Sequence, residues 1–126
     1  MRRLFAVCLL LALGGCALFE PSEKRFVVFF KPWSVELNDD AKAVVAAAAE
    51  WAKPRINKPV VIAAYADTEG TKEANAELVR ARGQAVYEVL VNSGLPATRI
   101  SRREVGSVNY QIDSQESRRV VITVGP

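Results

Sequence analysis

The residue types best suited to binding chemistry in this chain are an acid and a guanidinium at a fixed spacing, Asp67 and Arg82. Asp67 lies where an apolar run meets a polar turn, and Arg82 lies about two and a half turns into the next predicted helix. Because a strand, a turn and a helix fold back on one another, both side chains can face a common cleft. Together they offer charge pairing and bidentate hydrogen bonds. Spacing alone favours a structural role, with Asp67 as a turn former or helix cap and Arg82 as its ion-pair partner.

The composition indicates binding rather than catalysis. The chain has no histidine, and its two cysteines, Cys8 and Cys16, lie near the N-terminus, so the usual general base and thiol nucleophile are missing from the rest of the chain. Asp67, Glu69 and Glu73 could in principle form a carboxylate pair, but nothing distinguishes them from a solvated face. We therefore expect no enzyme activity, no catalytic residue, no metal and no cofactor.

The N-terminus predicts export and a lipid anchor. Two arginines, an unbroken apolar run over residues 4–13 and two glycines precede Cys16. This order is typical of a secretory signal, and the run is about half the length that a membrane-spanning helix needs. The string Leu-Gly-Gly-Cys at 13–16 looks like the lipobox of bacterial lipoproteins, which implies cleavage before Cys16 and a diacylglyceryl group on its sulfur. The alternative is an ordinary signal followed by a chance cysteine.

The predicted organisation is a signal peptide over residues 1–15, a lipidated Cys16 with a short tether over 16–24, and one domain over 25–126. Ala17 stands where an Asp would resemble an inner-membrane retention signal, so we expect the periplasmic face of the outer membrane. Loss of the signal removes two arginines from 17 basic residues, against 14 acidic ones. The mature chain is therefore close to neutral, and nucleic acid is a poor candidate partner.

The elements that must position the acid and the base follow from hydrophobic patterning and from turn residues. Asn38, Asp39 and Asp40 supply N-cap chemistry and acidic charge for the first helix, and the long second helix ends at Gly94 and Pro96. Its predicted apolar line is Leu78, Ala81, Ala85 and Val89, widened by Val86 and Leu90, with Arg82 on the flank. The order β-α-β-α-β-β predicts an α+β fold with two layers, in which both helices pack on one face of a four-stranded mixed sheet. The predicted elements are strand 25–30, helix 41–52, strand 60–65, helix 72–93, strand 100–108 and strand 120–124.

The segment around Asp67 resembles the C-terminal domain shared by outer membrane protein A and peptidoglycan-associated lipoprotein. The resemblance covers about residues 26–124 and keeps the spacing from the acid to the arginine. Single pieces are unspecific, but their order is specific. The matching residues are Phe29, Phe30, Tyr65, Ala66, Asp67, Gly70, Asn75, Leu78, Arg82, Gly94, Leu95, Pro96, Arg99, Ile100, Gly106, Arg118, Arg119, Val120, Val121 and Ile122.

This resemblance implies an outer-membrane lipoprotein that binds peptidoglycan non-covalently through the meso-diaminopimelate of its stem peptide. It implies that Asp67 pairs with the ligand ammonium and that Arg82 holds the ligand carboxylate. Asn75 would shape the loop or touch the ligand, while Phe30 and Leu78 would form an apolar wall.

Departures from the family pattern motivate an alternative function. Lys31, Trp33 and the loop over residues 107–117 could contact another envelope protein, and the same fold would then bind peptidoglycan weakly or not at all. We expect Trp33 to be a packing residue. We expect Arg118 and Arg119 to be sheet-edge charges rather than ligand contacts.

Overall fold

A computed structural model of the protein describes residues 22–107 and 117–126. The predicted signal peptide, Cys16 and most of the tether lie outside these residues, as does most of the loop over 107–117. Within the two described ranges, no helix has the length and apolar character needed to span a membrane.

Every element predicted within the described residues is present, with small shifts at the ends. The elements are β1 (Lys24–Phe29), α1 (Asp39–Ala52), β2 (Val60–Ala66), α2 (Lys72–Asn92), a short 3-10 turn (Ala97–Arg99), β3 (Ile100–Ser107) and β4 (Arg119–Val124).

The four strands form one mixed sheet in the order β1-β4-β2-β3. Strand β4 pairs antiparallel with β1 and with β2, whereas β2 and β3 are parallel. The predicted α+β fold, with two helices on one face of a four-stranded mixed sheet, is confirmed. The central strand β4 alternates buried and partly buried residues, and β2 does so except at Ala63, as expected of strands with one face against a core.

The core lies between the sheet and the helices. Ile62 and Ile122 from the sheet meet Val45 from α1 and Val86 from α2, and all four are fully buried. Burial of each such side chain contributes about 1.5–3 kcal/mol. This core fixes the helices over the sheet and so sets the position of every residue at the sheet ends.

Both helices begin with side-chain caps. The side chain of Asn38, as predicted, accepts from the Ala41 amide at 2.8 Å. The acidic residues of the first turn of α1 interact favourably with the positive end of the helix dipole. The cap of α2 was not predicted: the Thr71 hydroxyl accepts from the Ala74 amide at 3.1 Å. The α2 start is therefore held directly beside the polar turn that carries Asp67.

The predicted apolar face of α2 is only partly correct. Val86 and Leu90 are buried, as predicted. Ala81 is exposed, and Leu78, Ala85 and Val89 are only partly buried. Hydrophobic periodicity misplaced this face because three of the residues facing the core are an amide, a guanidinium and a glycine. The buried residues are Asn75, Val79, Arg82, Gly83, Val86 and Leu90.

Strand directions divide the domain into two ends. Phe29 pairs with Arg119 at one end of the sheet, where β1 and β2 finish, β4 starts and α2 starts; we call this the site end. Lys24 and Val60 both pair with Val124 at the other end. The chain enters the domain there at Ser22, so we call this the entry end.

Candidate functional site

A small cavity at the site end brings together most of the predicted site residues. It has a volume of about 10 Å³, which is room for about one water molecule. Asp67 and Arg82 face this common space, as the strand-turn-helix geometry predicts. The lining residues are Trp33, Asp67, Asn75, Leu78, Arg82 and Arg118.

Arg82 has no exposed surface and donates to three backbone carbonyls. Its Nε lies 2.9 Å from the oxygen of Ser34, its Nη1 lies 3.3 Å from the oxygen of Tyr65, and its Nη2 lies 3.1 Å from the oxygen of Lys31. These bonds offset the cost of burying the charge. Arg82 therefore ties the loop after β1 to the end of β2, a role that sequence reasoning missed.

The pKa of Arg82 is lowered to about 10, mainly by burial and also by the nearby cation of Arg118, while the carboxylate of Asp67 opposes the shift. The guanidinium therefore remains charged at neutral pH. The ring of Phe30 lies below it, with the centroid 5.0 Å from Cζ, in the range of a cation–π contact. Phe30 is buried and borders a neighbouring groove rather than the small cavity.

Asp67 is held from two sides. Its Oδ1 accepts from the Glu69 amide at 2.9 Å, which stabilises the turn after β2. Its Oδ2 lies 3.7 Å from Nη1 of Arg118. Among the described residues, the ion-pair partner of Asp67 is thus Arg118, whereas the structural alternative predicts Arg82.

Arg118 was predicted to be a sheet-edge charge. In the structure it also forms part of the cavity wall. Its Nε donates to the Phe30 carbonyl at 3.1 Å, and the Phe30 amide donates to the Arg118 carbonyl at 2.9 Å. The sequence signal that could have located it is its position directly before β4, because an antiparallel β1–β4 pair places it opposite Phe30.

Asn75 and Leu78 reach the cavity from the first turns of α2. The side chain of Asn75 is buried, and its Nδ2 donates to the Glu69 carbonyl at 2.8 Å. It therefore holds the turn that carries Asp67. Leu78 is half-buried and supplies an apolar part of the wall.

Trp33 forms the outer wall of the cavity. It has a φ of 55°, a left-handed conformation that is costly for a bulky residue, and it is 52% exposed. Its indole lies over Gly70, where an added Cβ would overlap the ring. Trp33 therefore packs across the Asp67 turn, outside the core.

Two open grooves flank the cavity. One, of about 440 Å³, is lined by residues around Phe30 and Lys31, and the other, of about 500 Å³, runs past Gly70 and Asn75. Across residues 22–107 and 117–126, no cluster of three or more His, Cys, Asp or Glu side chains is arranged to hold a metal ion.

This domain is similar in sequence to known proteins. The OmpA family profile matches residues 29–121. A peptidoglycan-associated lipoprotein of Agrobacterium fabrum is 30% identical over 103 residues, which are 76% of this chain and 58% of that protein. An outer membrane protein A of Serratia odorifera is 40% identical over 55 residues, which are 44% of this chain and 23% of that protein. The chain thus spans less than two thirds of the length of each relative.

Solved structures share the fold. The peptidoglycan-associated lipoprotein of Burkholderia pseudomallei superposes with a TM-score of 0.71 at 21% identity, covering 79% of this chain and 89% of that one. The OmpA-like domain of FopA1 from Francisella tularensis gives a TM-score of 0.74 at 20% identity, covering 86% of this chain and 77% of that one. With the match over residues 29–121, these findings show that the chain belongs to the OmpA family.

Proposed function

We propose that this chain is an outer-membrane lipoprotein that binds peptidoglycan non-covalently through the meso-diaminopimelate of the stem peptide. The observation that carries the proposal is that Asp67 and Arg82 line one cavity, at the end of the domain opposite the chain entry. The name of the Agrobacterium fabrum relative, a peptidoglycan-associated lipoprotein, supports it.

The chemistry of the cavity suits a zwitterion. The Asp67 carboxylate pairs with the ligand ammonium. Arg82 donates three of its five N–H groups to carbonyls, which leaves one on each Nη for the two oxygens of a carboxylate. Arg118 adds a second cation to the cavity, with its Nη1 3.7 Å from the carboxylate of Asp67.

Binding requires the cavity to open. A volume of about 10 Å³ cannot hold an ammonium and a carboxylate, whereas the grooves beside it are tens of times larger. Trp33 is the outer wall and is half exposed, so displacement of its indole joins the cavity to these grooves. The stem peptide then lies in a groove while its zwitterionic end enters the cavity.

Co-sedimentation with purified sacculi tests the site. We expect Asp67→Asn, which keeps the shape and removes the charge, to lower the bound fraction at least tenfold, since it removes a partly buried charge partner of the ligand. Glu69→Gln, an exposed acid in the same turn, is the matched control and should bind as before. Sacculi with lysine in place of diaminopimelate should bind weakly, because lysine lacks the second carboxylate. Unchanged binding by Asp67→Asn, or equal binding to both kinds of sacculi, would refute the site.

The lipid anchor on Cys16 is part of the proposal and rests on the N-terminal sequence. Mass spectrometry of the mature protein should show acyl chains on Cys16, and palmitate labelling should disappear in Cys16→Ser. A mature N-terminus elsewhere would contradict it.

We propose binding without catalysis, since the chain offers no histidine and no cysteine beyond Cys16. Incubation of labelled muropeptides with the purified protein should leave them intact. Release of a cleaved product would overturn this part of the proposal.

A second candidate function is binding to another envelope protein through the loop after β1. It is favoured by the exposure of Trp33 and Val35 on that loop. In-cell crosslinking from position 35 should then capture one defined protein, and recovery of peptidoglycan fragments alone would count against it.

A further inference from the structure

The two ends of the domain differ in charge. Within the described residues, segments 23–25 and 50–59 and Arg99, all at the entry end, carry six basic and two acidic residues. Segments 31–40 and 67–75, with Arg82, Arg118 and Arg119, form the site end and carry five basic and six acidic residues. The domain is therefore a dipole with its positive pole where the chain enters.

The basic residues of the entry end surround one indole. The Cζ atom of Arg55 lies 3.8 Å from the ring centroid of Trp51, and the Nζ atoms of Lys24 and Lys58 lie 5.5 and 5.7 Å away. Lys58 also donates to the Ser22 carbonyl at 2.7 Å. The cation cluster is thus tied to the segment through which the chain enters.

An exposed apolar side chain stands in the turn beside this cluster. Ile56, between α1 and β2, is 72% exposed, the highest value among the exposed large apolar residues of the described ranges. The Nη2 atom of Arg99, which carries two N–H groups, lies 3.1, 2.7 and 2.8 Å from the carbonyl oxygens of Ala52, Arg55 and Lys58 and is shared among them. These contacts tie together the backbone on both sides of Ile56.

We propose that the entry end docks on a bilayer surface rich in anionic phospholipid, with Ile56 and Trp51 at the level of the headgroups and Lys24, Lys53 and Arg55 on the phosphates. Tryptophan favours the interface between lipid and water, and basic residues near an anionic surface each strengthen binding about fivefold. The combination of one exposed isoleucine, one indole and a cation cluster fits this partner.

The length of the tether selects a membrane as the occupant. Six residue steps from Cys16 to Ser22 extend at most about 21 Å. The inference rests on the proposed lipid anchor, because a lipid on Cys16 holds the entry end within this distance of the bilayer. The acidic site end then points away from the membrane, with the Asp67 cavity facing the cell wall.

The two tryptophans of the chain report on the two ends. Lipidated mature protein carrying Trp33→Phe keeps only Trp51, and protein carrying Trp51→Phe keeps only Trp33. Each is reconstituted in phosphatidylcholine vesicles, with or without phosphatidylglycerol, that contain a headgroup-region spin-labelled quencher. We expect strong quenching of Trp51 in the anionic vesicles only, and little quenching of Trp33 in either.

Charge and apolar variants complete the test. In the background that keeps Trp51, Lys24→Gln with Lys53→Gln should lower the ratio of docked to undocked domain more than about tenfold, and Ile56→Ser should lower it further. Lys42→Gln with Lys72→Gln removes the same charge from exposed positions away from the entry end and should have little effect. Equal quenching of Trp51 in neutral and anionic vesicles, or equal effects of the two double variants, would overturn the docking.

Failure of docking and failure of the proposed function are distinguishable. Loss of Trp51 quenching with intact sacculus binding refutes the docking alone. Loss of sacculus binding with intact quenching refutes the peptidoglycan site alone. A mature chain without lipid on Cys16 overturns both the anchor and the docking.

Discussion

At the scale of single residues, Arg82 combines two tasks that compete for the same atoms. Its guanidinium holds the carbonyls of Lys31, Ser34 and Tyr65 and also faces the cavity. Burial of a cation costs little free energy if each of its N–H groups donates to the protein. A ligand site, however, needs N–H groups that are still available to the ligand. The two N–H groups that remain on Arg82 resolve this conflict.

We expect Arg82→Lys to lower the free energy of unfolding by about 2–3 kcal/mol, because an ammonium cannot reach three carbonyls that diverge and at least one stays buried without a donor. Urea denaturation followed by circular dichroism measures it. Arg80→Lys, on the exposed face of the same helix, is the control and should change stability by less than about 0.5 kcal/mol. Equal losses for the two variants would contradict the structural role.

We expect Trp33→Gly to speed the association of a diaminopimelate-containing muropeptide several-fold. The substitution removes the outer wall of the cavity and relieves a φ of 55°, so a larger fraction of the protein is ready to bind. Stopped-flow fluorescence with a labelled muropeptide measures the rate, and Val35→Gly in the same loop is the control. Slower association would mean instead that the indole contacts the bound ligand.

At the scale of elements, α2 is the scaffold of the site, since Asn75, Leu78 and Arg82 lie on its first three turns. Its buried face is only partly apolar, so its position depends on close packing against β2. Gly83 lies at that contact, and a Cβ there would sit 3.7 Å from the Cβ of Ala64. This distance is an ordinary contact, so the glycine is not required by the packing.

We therefore expect Gly83→Ala to stabilise the protein by about 0.5–1 kcal/mol, because alanine gains helix propensity without a clash. Gly83→Val should destabilise it, since a branched side chain has no room against Ala64. Thermal unfolding of both variants, with Ala81→Gly on the exposed face as the reverse control, measures these effects. Destabilisation by Gly83→Ala would show that the helix and the sheet approach more closely than the structure describes.

At the scale of the whole molecule, one sheet connects the entry end to the site end. Strand β4 lies between β1 and β2 and touches both ends through Val124 and Arg119. The two ends therefore share a single core, although they differ in charge and in proposed partner.

We expect urea unfolding to be a single transition in which Trp51 and Trp33, at opposite ends, report the same midpoint. Ile122→Ala in the shared core should lower the free energy of unfolding by about 2–4 kcal/mol and shift both signals equally. The single-tryptophan variants separate the two signals. Different midpoints would show that the site end unfolds on its own, for example by release of the loop that Arg82 holds.

Much of the fold could be predicted because local signals agreed with one another. Apolar runs, helical spacing of apolar residues, Pro and Gly boundaries, and the Asn38 cap located the strands and helices to within one or two residues. The spacing of Asp67 and Arg82 also predicted a shared cleft, because a strand-turn-helix unit allows only a few arrangements of its ends.

The sequence alone determined the set of helices and strands, the family resemblance, and the acid and base that face one cleft. Only the tertiary structure decided that Arg82 is tied to three carbonyls, that Arg118 is the partner of Asp67 and that Trp33 closes the cavity. The physical reason is distance along the chain: the contacts of Arg82 with Lys31 and of Arg118 with Phe30 join residues 51 and 88 positions apart. Local patterns hold no information on such pairs until the sheet brings β1, β2 and β4 together.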